Sequence, residues 1–317
     1  VRSALVQVPD LHSWIAAMPS RLGDAAQQQI AGVQRPRGNL HFGARTVRLN
    51  EPQIMGILNV TPDSFSDGGK HGDPQAAIDA GFAMATEGAA IVDVGGESTR
   101  PGAPLVWEGD EIKRVEPVIA ALAKGGVATS VDTRKAAVME AALAAGASLI
   151  NDISALRYDE RALAVVAAAT CPVVLMHAPS AKSDPHEGGT YAQPLFDVYD
   201  LLAARIAACE AAGIARTRII VDPGIGFGKG VADNLALLNG LALVHTLGCP
   251  LLFGASRKRL IGALDGEAAV GDRLGGSIAL HYQAASHGAQ LVRVHDVPET
   301  RQALRMWRGL RDAALVA

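Results

Sequence analysis

Polar and ionisable side chains follow eight short apolar runs of this chain, one group after each run. In chain order the groups are Asn59, Asp93, Asp132, the pair at 151–152, His177, Asp222, the triplet at 256–258 and the triplet at 293–295. A single residue of this kind is most often the N-cap of a helix or part of a loop hydrogen bond. Eight in succession predict instead a common rim where neighbouring strands end and build a site.

The first chemical group on this rim consists of Asp132, Asn151, Asp222 and Lys258. Carboxylates and an amide accept hydrogen bonds from adjacent N–H groups, such as a guanidine-like edge, and a lysine donates to a carbonyl or ring nitrogen. By strand order Met176 and Phe227 lie near this group, where they are expected to enclose a flat ring. The competing interpretation is a buried ion pair that closes a barrel, although such pairs are weak stabilisers.

The second group suits an anion. Side-chain alternation along the last strand places Arg293 and His295 on one face, and the preceding strand is followed by Arg257, in a region where barrels commonly bind phosphate. Arginine offers a bidentate fork to such an anion. Asn59 is a candidate single ligand for a Mg²⁺ ion that keeps its waters and bridges phosphates, and no paired carboxylates suit a dedicated metal cage. For His295 alone a structural role is an equal alternative, and its neighbour Arg293 favours binding.

Two loops with glycine and proline hinges are expected to close over the rim. One, at 59–69, carries Asp63, which can stabilise developing positive charge, and Phe65, which can exclude water. The other, at 95–103, mixes hydroxyl and charged side chains. The glycine-rich segment 224–230 matches neither a P-loop nor a dinucleotide fingerprint. No Ser–His–Asp or Cys–His signature predicts a covalent nucleophile.

The elements that position these residues alternate regularly from residue 54 onward. Strands are predicted at 54–58, 90–94, 128–131, 148–150, 173–176, 218–221, 251–253 and 290–294. Helices are predicted at 74–88, 108–124, 134–145, 160–169, 195–213, 233–247, 271–288 and 297–314. Eight strand–helix pairs over about 250 residues predict an α/β fold of the (β/α)8 TIM-barrel type, with a doubly wound open sheet as the competitor.

The first 38 residues do not share this rhythm. Residues 11–18 are compatible with a short helix, whereas 25–32 is a Gln-rich polar stretch, so 1–38 is interpreted as an N-terminal extension, partly helical or mobile, outside the core. Residues 40–42 and 46–49 predict a small hairpin placed to plug the bottom of the barrel. The barrel domain accordingly spans 39–317.

The composition argues against nucleic-acid binding and against membrane binding. With 49% hydrophobic residues, 19% charged residues and a formal net charge of −3, the chain has no basic footprint for nucleic acid and no basic stripe for a membrane surface. Its longest apolar run, 162–176, is too short to span a bilayer. Three widely spaced cysteines and the lack of a recognisable signal peptide predict a cytoplasmic protein with reduced thiols.

Eight ordered motifs resemble the dihydropteroate synthase family of folate biosynthesis. They are MGILNVTPDSFSDG at 55–68, DVGGESTRPG at 93–102, SVDT at 130–133, IND at 150–152, LMH at 175–177, DPGIGFGK at 222–229, SRK at 256–258 and RVHD at 293–296. The likeness runs from about residue 40 to the final helix. The chain departs from the family pattern at Arg259 and at 178–179, where Ala-Pro replaces a more usual Met-Gln type continuation.

The resemblance implies a pterin-binding barrel that condenses 6-hydroxymethyl-7,8-dihydropterin diphosphate with 4-aminobenzoate, releasing diphosphate and 7,8-dihydropteroate by a dissociative mechanism. It implies pterin binding by Asp132, Asn151, Met176, Asp222, Phe227 and Lys258. It implies diphosphate binding by Asn59, Arg100, Arg293 and His295, with Mg²⁺ on Asn59. It implies an aminobenzoate pocket of Thr99, Pro101, Ser256 and Phe65, and catalytic roles for Asp63, Phe65, Arg100 and Lys258. A homodimer and competition by sulfonamides are further expectations.

Two alternatives stay open at this point. A folate-dependent methyltransferase would also carry pterin-binding acids, but would not need the clamp of Arg293 and His295 or the two loops. A catalytically inert paralogue would bind pterin without turnover, and is expected to have lost loop residues that this chain retains, such as Asn59, Thr99 and Arg100.

Overall fold

A closed parallel barrel forms the body of the protein. The computed structural model describes residues 11–42, 45–61, 74–182 and 184–316. The barrel strands are β3 (Gln53–Asn59), β4 (Ile91–Gly95), β5 (Thr129–Asp132), β6 (Leu149–Asp152), β7 (Val173–Met176), β8 (Ile219–Asp222), β9 (Leu252–Phe253) and β10 (Leu291–Val294). Their pairing order is β8, β7, β6, β5, β4, β3, β10, β9, and a parallel bridge between Val221 and Leu251 joins the two ends. Closure confirms the barrel and excludes the doubly wound sheet, which would leave two open edges.

The bottom of the barrel is apolar and is covered by a hairpin. Strands β1 (Leu40–Phe42) and β2 (Arg45–Val47) pair antiparallel. Apolar side chains of this hairpin and of residue 49 pack against the lowest inward-facing layer of the barrel, which consists of Met55, Ile91, Ala128, Leu149, Val174, Ile220, Leu252 and Leu291. The predicted plug is therefore confirmed. Because the bottom is filled with apolar groups, polar inward positions remain only toward the carboxyl ends of the strands.

Helices follow the strands and bury the outer faces of the barrel. They are α3 (Pro74–Glu87), α4 (Glu108–Lys124), α5 (Ala136–Ala144), α6 (Ala162–Ala168), α7 (Pro194–Ala211), α8 (Val231–Asn239), α9 (Arg259–Leu264), α10 (Leu274–Ser286) and α11 (Val297–Val316), after α1 (Leu11–Ala16) and α2 (Ser20–Gln34) in the extension. The single helix predicted at 233–247 was wrong: α8 ends at Asn239, and a 3-10 helix, Leu241–Leu247, follows Gly240. Helix α9 was not predicted, because six residues carry too little periodicity to be recognised.

The N-terminal extension packs on the outside of the barrel. The Gln-rich polar stretch at 25–32, to which the sequence assigned no element, lies within α2. Helix α2 lies against the 3-10 helix Leu241–Leu247, where a Cβ on Gly32 would come within 1.9 Å of the Thr246 carbonyl oxygen. The Arg37 guanidinium donates to the carbonyls of Gly32 (3.1 Å) and His245 (2.9 Å). The division at residue 38 remains a prediction, but the helical part of the extension is held to the barrel.

Substituting Gly32 with valine is expected to loosen this contact. Overpacking a close contact costs about 1–3 kcal/mol, so amide exchange across α2 should accelerate by about tenfold or more while the barrel strands keep their protection. Gly38→Ala is the matched control, because no atom lies within 4 Å of a Cβ placed there. Unchanged exchange in α2 of the Gly32→Val variant would contradict the packing described.

Within the described ranges, no helix combines the length and the apolar character needed to cross a membrane.

Candidate active site

The polar strand ends meet inside the mouth of the barrel. Alternation along each strand directs every second side chain inward, so the positions above the apolar bottom layer face one another. These inward side chains include Asn59, Asp93, Asp132, Asn151, Met176, Asp222, Ser256, Arg293 and His295. Because alternate residues of each strand face inward, most of the candidate residues lie together in one site.

Arg293 lies at the centre of this site. It connects the group of hydrogen-bond acceptors around Asp132 with the group predicted to bind an anion. Its Nε donates to Asp93 Oδ2 and its Nη2 to Asp132 Oδ2, both at 2.6 Å. The amide of Asn151 donates to the same Asp93 oxygen at 3.0 Å. The guanidinium predicted to bind an anion therefore also organises the acids on β4 and β5.

The charges of this cluster depend on one another. Burial opposes the positive charge, yet Asp93 and Asp132 together raise the pKa of Arg293 above its ordinary value, so the guanidinium stays charged. Burial raises the pKa of Asp132; Arg293 counteracts this rise, and Asp93 adds to it. Buried carboxylate oxygens around one fixed cation suit an N–H-rich ring, whose donors pair with the oxygens that Arg293 leaves free.

Asp93 is a residue that the sequence reasoning did not assign to the site. It is completely buried, and among the described residues its Oδ1 has no hydrogen-bond partner. It had been noted only as a strand end. The alternation of side chains along β4 would have identified it. Asp93 lies two residues after Ile91 and two before Gly95, so it faces inward with them.

A second part of the site surrounds Phe227. Ile153, Met176, Ala178 and Phe227 form a small buried apolar cluster. The Lys258 ammonium lies 4.1 Å from the centroid of the Phe227 ring and donates to the Ile225 carbonyl. The same ring stacks on His186, with 4.7 Å between the ring centroids. Met176 and Phe227 therefore form one apolar part of the site, in which the Phe227 ring contacts both Lys258 and His186.

Lys258 and Asp222 carry opposite charges in this region. Burial lowers the pKa of Lys258 to about 8, although Asp222 opposes the shift. Burial also raises the pKa of Asp222, and the N–H of Gly224, which donates to its Oδ1 at 2.7 Å, counteracts that rise. A lysine with a lowered pKa remains a hydrogen-bond donor at neutral pH, and it gives up its proton more readily than an exposed lysine.

His295 forms a defined pair with Ser256. The Ser256 Oγ accepts the backbone N–H of His295 at 3.1 Å and lies 2.9 Å from its Nδ1. Burial lowers the pKa of His295 to about 4, and Arg293 and Arg257 add to the effect, so the ring is neutral at pH 7. If the hydroxyl proton of Ser256 is donated to Nδ1, the ring hydrogen resides on Nε2, which then serves as a neutral donor to an anion.

Replacing Ser256 with alanine is expected to weaken binding of inorganic diphosphate by about three- to tenfold, because the orienting hydrogen bond, worth about 0.5–1.5 kcal/mol, is lost. Titration calorimetry with Mg²⁺ and diphosphate measures the change. Ser148→Ala, at the opposite end of the barrel, serves as the control. Equal affinity in the Ser256→Ala variant would show that the hydroxyl does not set the tautomer of His295.

Other rim residues have structural partners. Asp152 Oδ1 accepts the N–H and the hydroxyl of Ser154, both at 2.6 Å, which fixes the turn after β6. His177 Nδ1 lies 2.9 Å from Lys229 Nζ. Arg257, expected near an anion, pairs with Asp296. These strand ends thus have local structural partners, and a binding role for Arg257 stays a prediction.

The loop at 95–103, called here the lid loop, lies beside the mouth of the barrel. Its base is anchored by Glu97, whose Oε2 accepts from Lys135 Nζ at 2.5 Å, and Lys135 also contacts Glu111 at 2.6 Å. Thr99 is half-buried and Arg100 is exposed, and Arg100 acts on His295 through its charge. The lid loop therefore has a rigid base and carries Thr99, Arg100 and Pro101 toward the site. Asp63 and Phe65 lie outside the described residues.

A metal ion has few protein ligands here. No group of three or more His, Cys, Asp or Glu side chains suited to a metal occurs in the part of the chain that the structure describes. The amide oxygen of Asn59 lies by Gly95, on the side of Asp132. One neutral oxygen fits a Mg²⁺ ion that keeps its waters and arrives with a phosphate ligand; it does not fit a tightly held resident ion.

Comparisons with known proteins agree with this geometry. Residues 55–295 match the family model described as pterin binding enzyme. The chain is 46% identical to dihydropteroate synthase of Neisseria meningitidis serogroup B, over 84% of this chain and 96% of that protein. It superposes with a TM-score of 0.82 on Xanthomonas albilineans dihydropteroate synthase with 4-aminobenzoic acid, at 47% identity over 87% of this chain and 99% of that one. On a complex of the Xanthomonas enzyme with 7,8-dihydropteroate the TM-score is 0.79. The sequence identity there is 45%, over 86% of this chain and 99% of that one. The chain belongs to the dihydropteroate synthase family of pterin-binding enzymes.

Proposed function

We propose that this chain condenses 6-hydroxymethyl-7,8-dihydropterin diphosphate with 4-aminobenzoate to give 7,8-dihydropteroate and diphosphate. The observation that carries the proposal is the placement of Arg293 between Asp93 and Asp132, with Asn151 beside them. This set of buried acceptors around one fixed cation suits the N–H-rich edge of a pterin. Membership of the synthase family points to the same reaction.

The pterin is held by side chains from five strand ends. Asp132, Asn151 and Asp222 accept from the amino group and ring N–H groups, and Lys258 donates to the ring carbonyl or a ring nitrogen. Met176 packs against the ring face. Phe227 lies beside Met176 in the same apolar cluster, and its contacts with Lys258 and His186 hold its ring in place at the pterin site.

The diphosphate lies toward β3 and β10. Arg293 and the neutral His295 donate to its oxygens, and Arg100 approaches from the lid loop. Asn59 contributes its amide oxygen to Mg²⁺, which neutralises charge on the leaving diphosphate when it is bound. Donors already held in place at the leaving group favour its departure without reorganisation.

The chemistry suited to this site is dissociative. The bond between the pterin methylene and the diphosphate oxygen breaks first, the electron pair leaves with diphosphate, and the remaining cation is stabilised by the surrounding acids. The aniline nitrogen of 4-aminobenzoate is neutral at pH 7 and attacks the methylene without a base, losing its proton afterwards. Thr99, Pro101 and Ser256 shape the pocket for this second substrate, and Asp63 and Phe65 are proposed to complete it from the first loop.

The experiment that tests the function follows diphosphate release from pterin diphosphate and Mg²⁺, with and without 4-aminobenzoate. Fast release with the amine and slow release without it are expected from a dissociative synthase. A methyltransferase-like chain would release no diphosphate. An inert paralogue would bind the pterin and release none either, and either result would overturn the proposal.

Sulfonamides are expected to compete with 4-aminobenzoate, because the lid loop retains Thr99, Arg100 and Pro101. Initial-rate kinetics at several amine concentrations should show a rising KM for the amine at constant maximal rate. An uncompetitive pattern would contradict the assigned pocket.

We also propose a cytoplasmic homodimer. The three cysteines, Cys171, Cys209 and Cys249, are free thiols, as in reducing compartments. Helix α11 exposes Met306 and Leu310, one turn apart, by 61% and 60%, which suits an apolar contact between copies. Sedimentation of the wild-type chain and a Leu310→Glu variant tests the association.

A further inference from the structure

One segment beside the site has no role in the reaction described above. It follows β7, after the Ala-Pro pair at 178–179, and residues 184–191 are called here the strap. Gly189 of the strap approaches the glycine-rich segment 224–230 so closely that a Cβ on it would lie 1.8 Å from the Gly228 carbonyl oxygen. A Cβ on Gly228 would in turn meet the Pro179 ring at 2.3 Å. The strap is therefore packed tightly against the wall that carries Phe227.

His186 connects the strap to both sides of the site. Its Nε2 lies 2.7 Å from the Thr99 carbonyl oxygen in the lid loop, and its Nδ1 lies 3.2 Å from the Gly226 carbonyl oxygen. Its ring stacks on Phe227 with an interplanar angle of 18°. Since carbonyl oxygens only accept, the doubly protonated ring satisfies both contacts, and the neutral ring keeps one of them.

Asp184 strengthens the same connection through the backbone. Its Oδ1 accepts the N–H of His186 at 2.8 Å, and its Oδ2 accepts the N–H of Gly102 at 3.1 Å. Two residues of the strap thus contact the lid loop at two points, on either side of Arg100 and Pro101. These contacts fix the position of Thr99 relative to the apolar surface around Phe227.

We propose that His186 is a positioning residue for the second substrate: by tying Thr99 to the Phe227 wall it sets the affinity for the aromatic amine. The inference rests on the proposed function, because the amine pocket is assigned through Thr99 and Pro101. His186 contacts the backbone of the lid loop and the ring of Phe227, so its effect falls on the shape of the pocket.

The test compares His186→Phe, which keeps the stacked ring and loses both ring nitrogens, with His186→Gln, whose side-chain amide keeps a donor. His41→Phe is the control, because His41 is an exposed histidine of the hairpin at the opposite end of the barrel. The KM for 4-aminobenzoate should rise about tenfold in His186→Phe, which can no longer donate to the lid loop, and about threefold in His186→Gln, which keeps a donor. The kcat and the KM for pterin diphosphate should stay within about twofold of wild type.

A second readout needs no turnover. Amide exchange of residues 95–103 in the ligand-free chain should be faster in His186→Phe than in wild type and in His41→Phe. Unchanged exchange in the lid loop, or an equal rise of both KM values, would overturn the proposal. A wild-type chain without synthase activity would refute the proposed function alone, since lid-loop exchange would still report whether His186 holds Thr99.

Discussion

Replacing Arg293 with methionine is expected to destabilise the fold by about 3 kcal/mol, because two neighbouring carboxylates lose the cation between them. Removing one partner of a buried ion pair typically costs about 3–5 kcal/mol. We expect the lower end of this range, because the side chain of Arg293 is 20% exposed at the mouth of the barrel. Urea unfolding followed by far-UV circular dichroism measures the change as a lower midpoint at constant slope.

A surface ion pair provides the matched control. Arg161 and Glu140 lie 2.6 Å apart with side chains 61% and 49% exposed, so Arg161→Met should leave the unfolding midpoint close to that of wild type. Arg293→Lys should fall between wild type and Arg293→Met, because an ammonium restores the charge without the fork. A midpoint of Arg293→Met equal to that of Arg161→Met would contradict the charged cluster.

Asp132→Ala is expected to weaken binding of pterin diphosphate by about 1–3 kcal/mol or more, roughly 5- to 150-fold, because donors of the pterin lose their buried acceptor. Two causes act together. The ligand loses its hydrogen bonds to the carboxylate, and Arg293 loses the contact that holds its Nη2 at 2.6 Å. Titration calorimetry of the Mg²⁺ complex of the ligand measures the affinity directly.

Two variants separate these causes. Asp132→Asn keeps an oxygen for Arg293 but places an amide where the ligand needs a carboxylate, so its affinity should lie between those of wild type and Asp132→Ala. Asp110→Ala, on the outer surface of α4, should bind as wild type. Wild-type affinity in Asp132→Ala would refute the assignment of this acid to the pterin site.

Much of the barrel could be predicted from periodicity, because parallel strands buried on both faces are apolar throughout and each helix keeps one apolar face. The predicted β7 coincides with Val173–Met176 and the predicted α4 with Glu108–Lys124. Predictions failed where the signal is short or ambiguous. The break at Gly240 depends on a 3-10 turn, and the glutamines at 27–29 gave no pattern from which the bounds of α2 could be predicted.

The candidate site was predicted as a set of residues, and its internal connections were not. Asp132, Asn151 and Asp222 could be identified from the sequence, because each lies at the end of a predicted strand and at an inward position in the alternation of its side chains. Both features depend only on the order of residues along the chain. The pairing of Arg293 with Asp93 joins residues 200 positions apart, so it depends on barrel closure. The role of His186 was not visible either, since its contacts come from a loop without periodicity.

The most direct test of the central claim is the ratio of dihydropteroate formed to diphosphate released by the wild-type chain, supplied with pterin diphosphate, Mg²⁺ and 4-aminobenzoate. A synthase site predicts one dihydropteroate for each diphosphate, with both products absent when the pterin substrate is omitted. Pterin binding without either product would contradict the function proposed for this site.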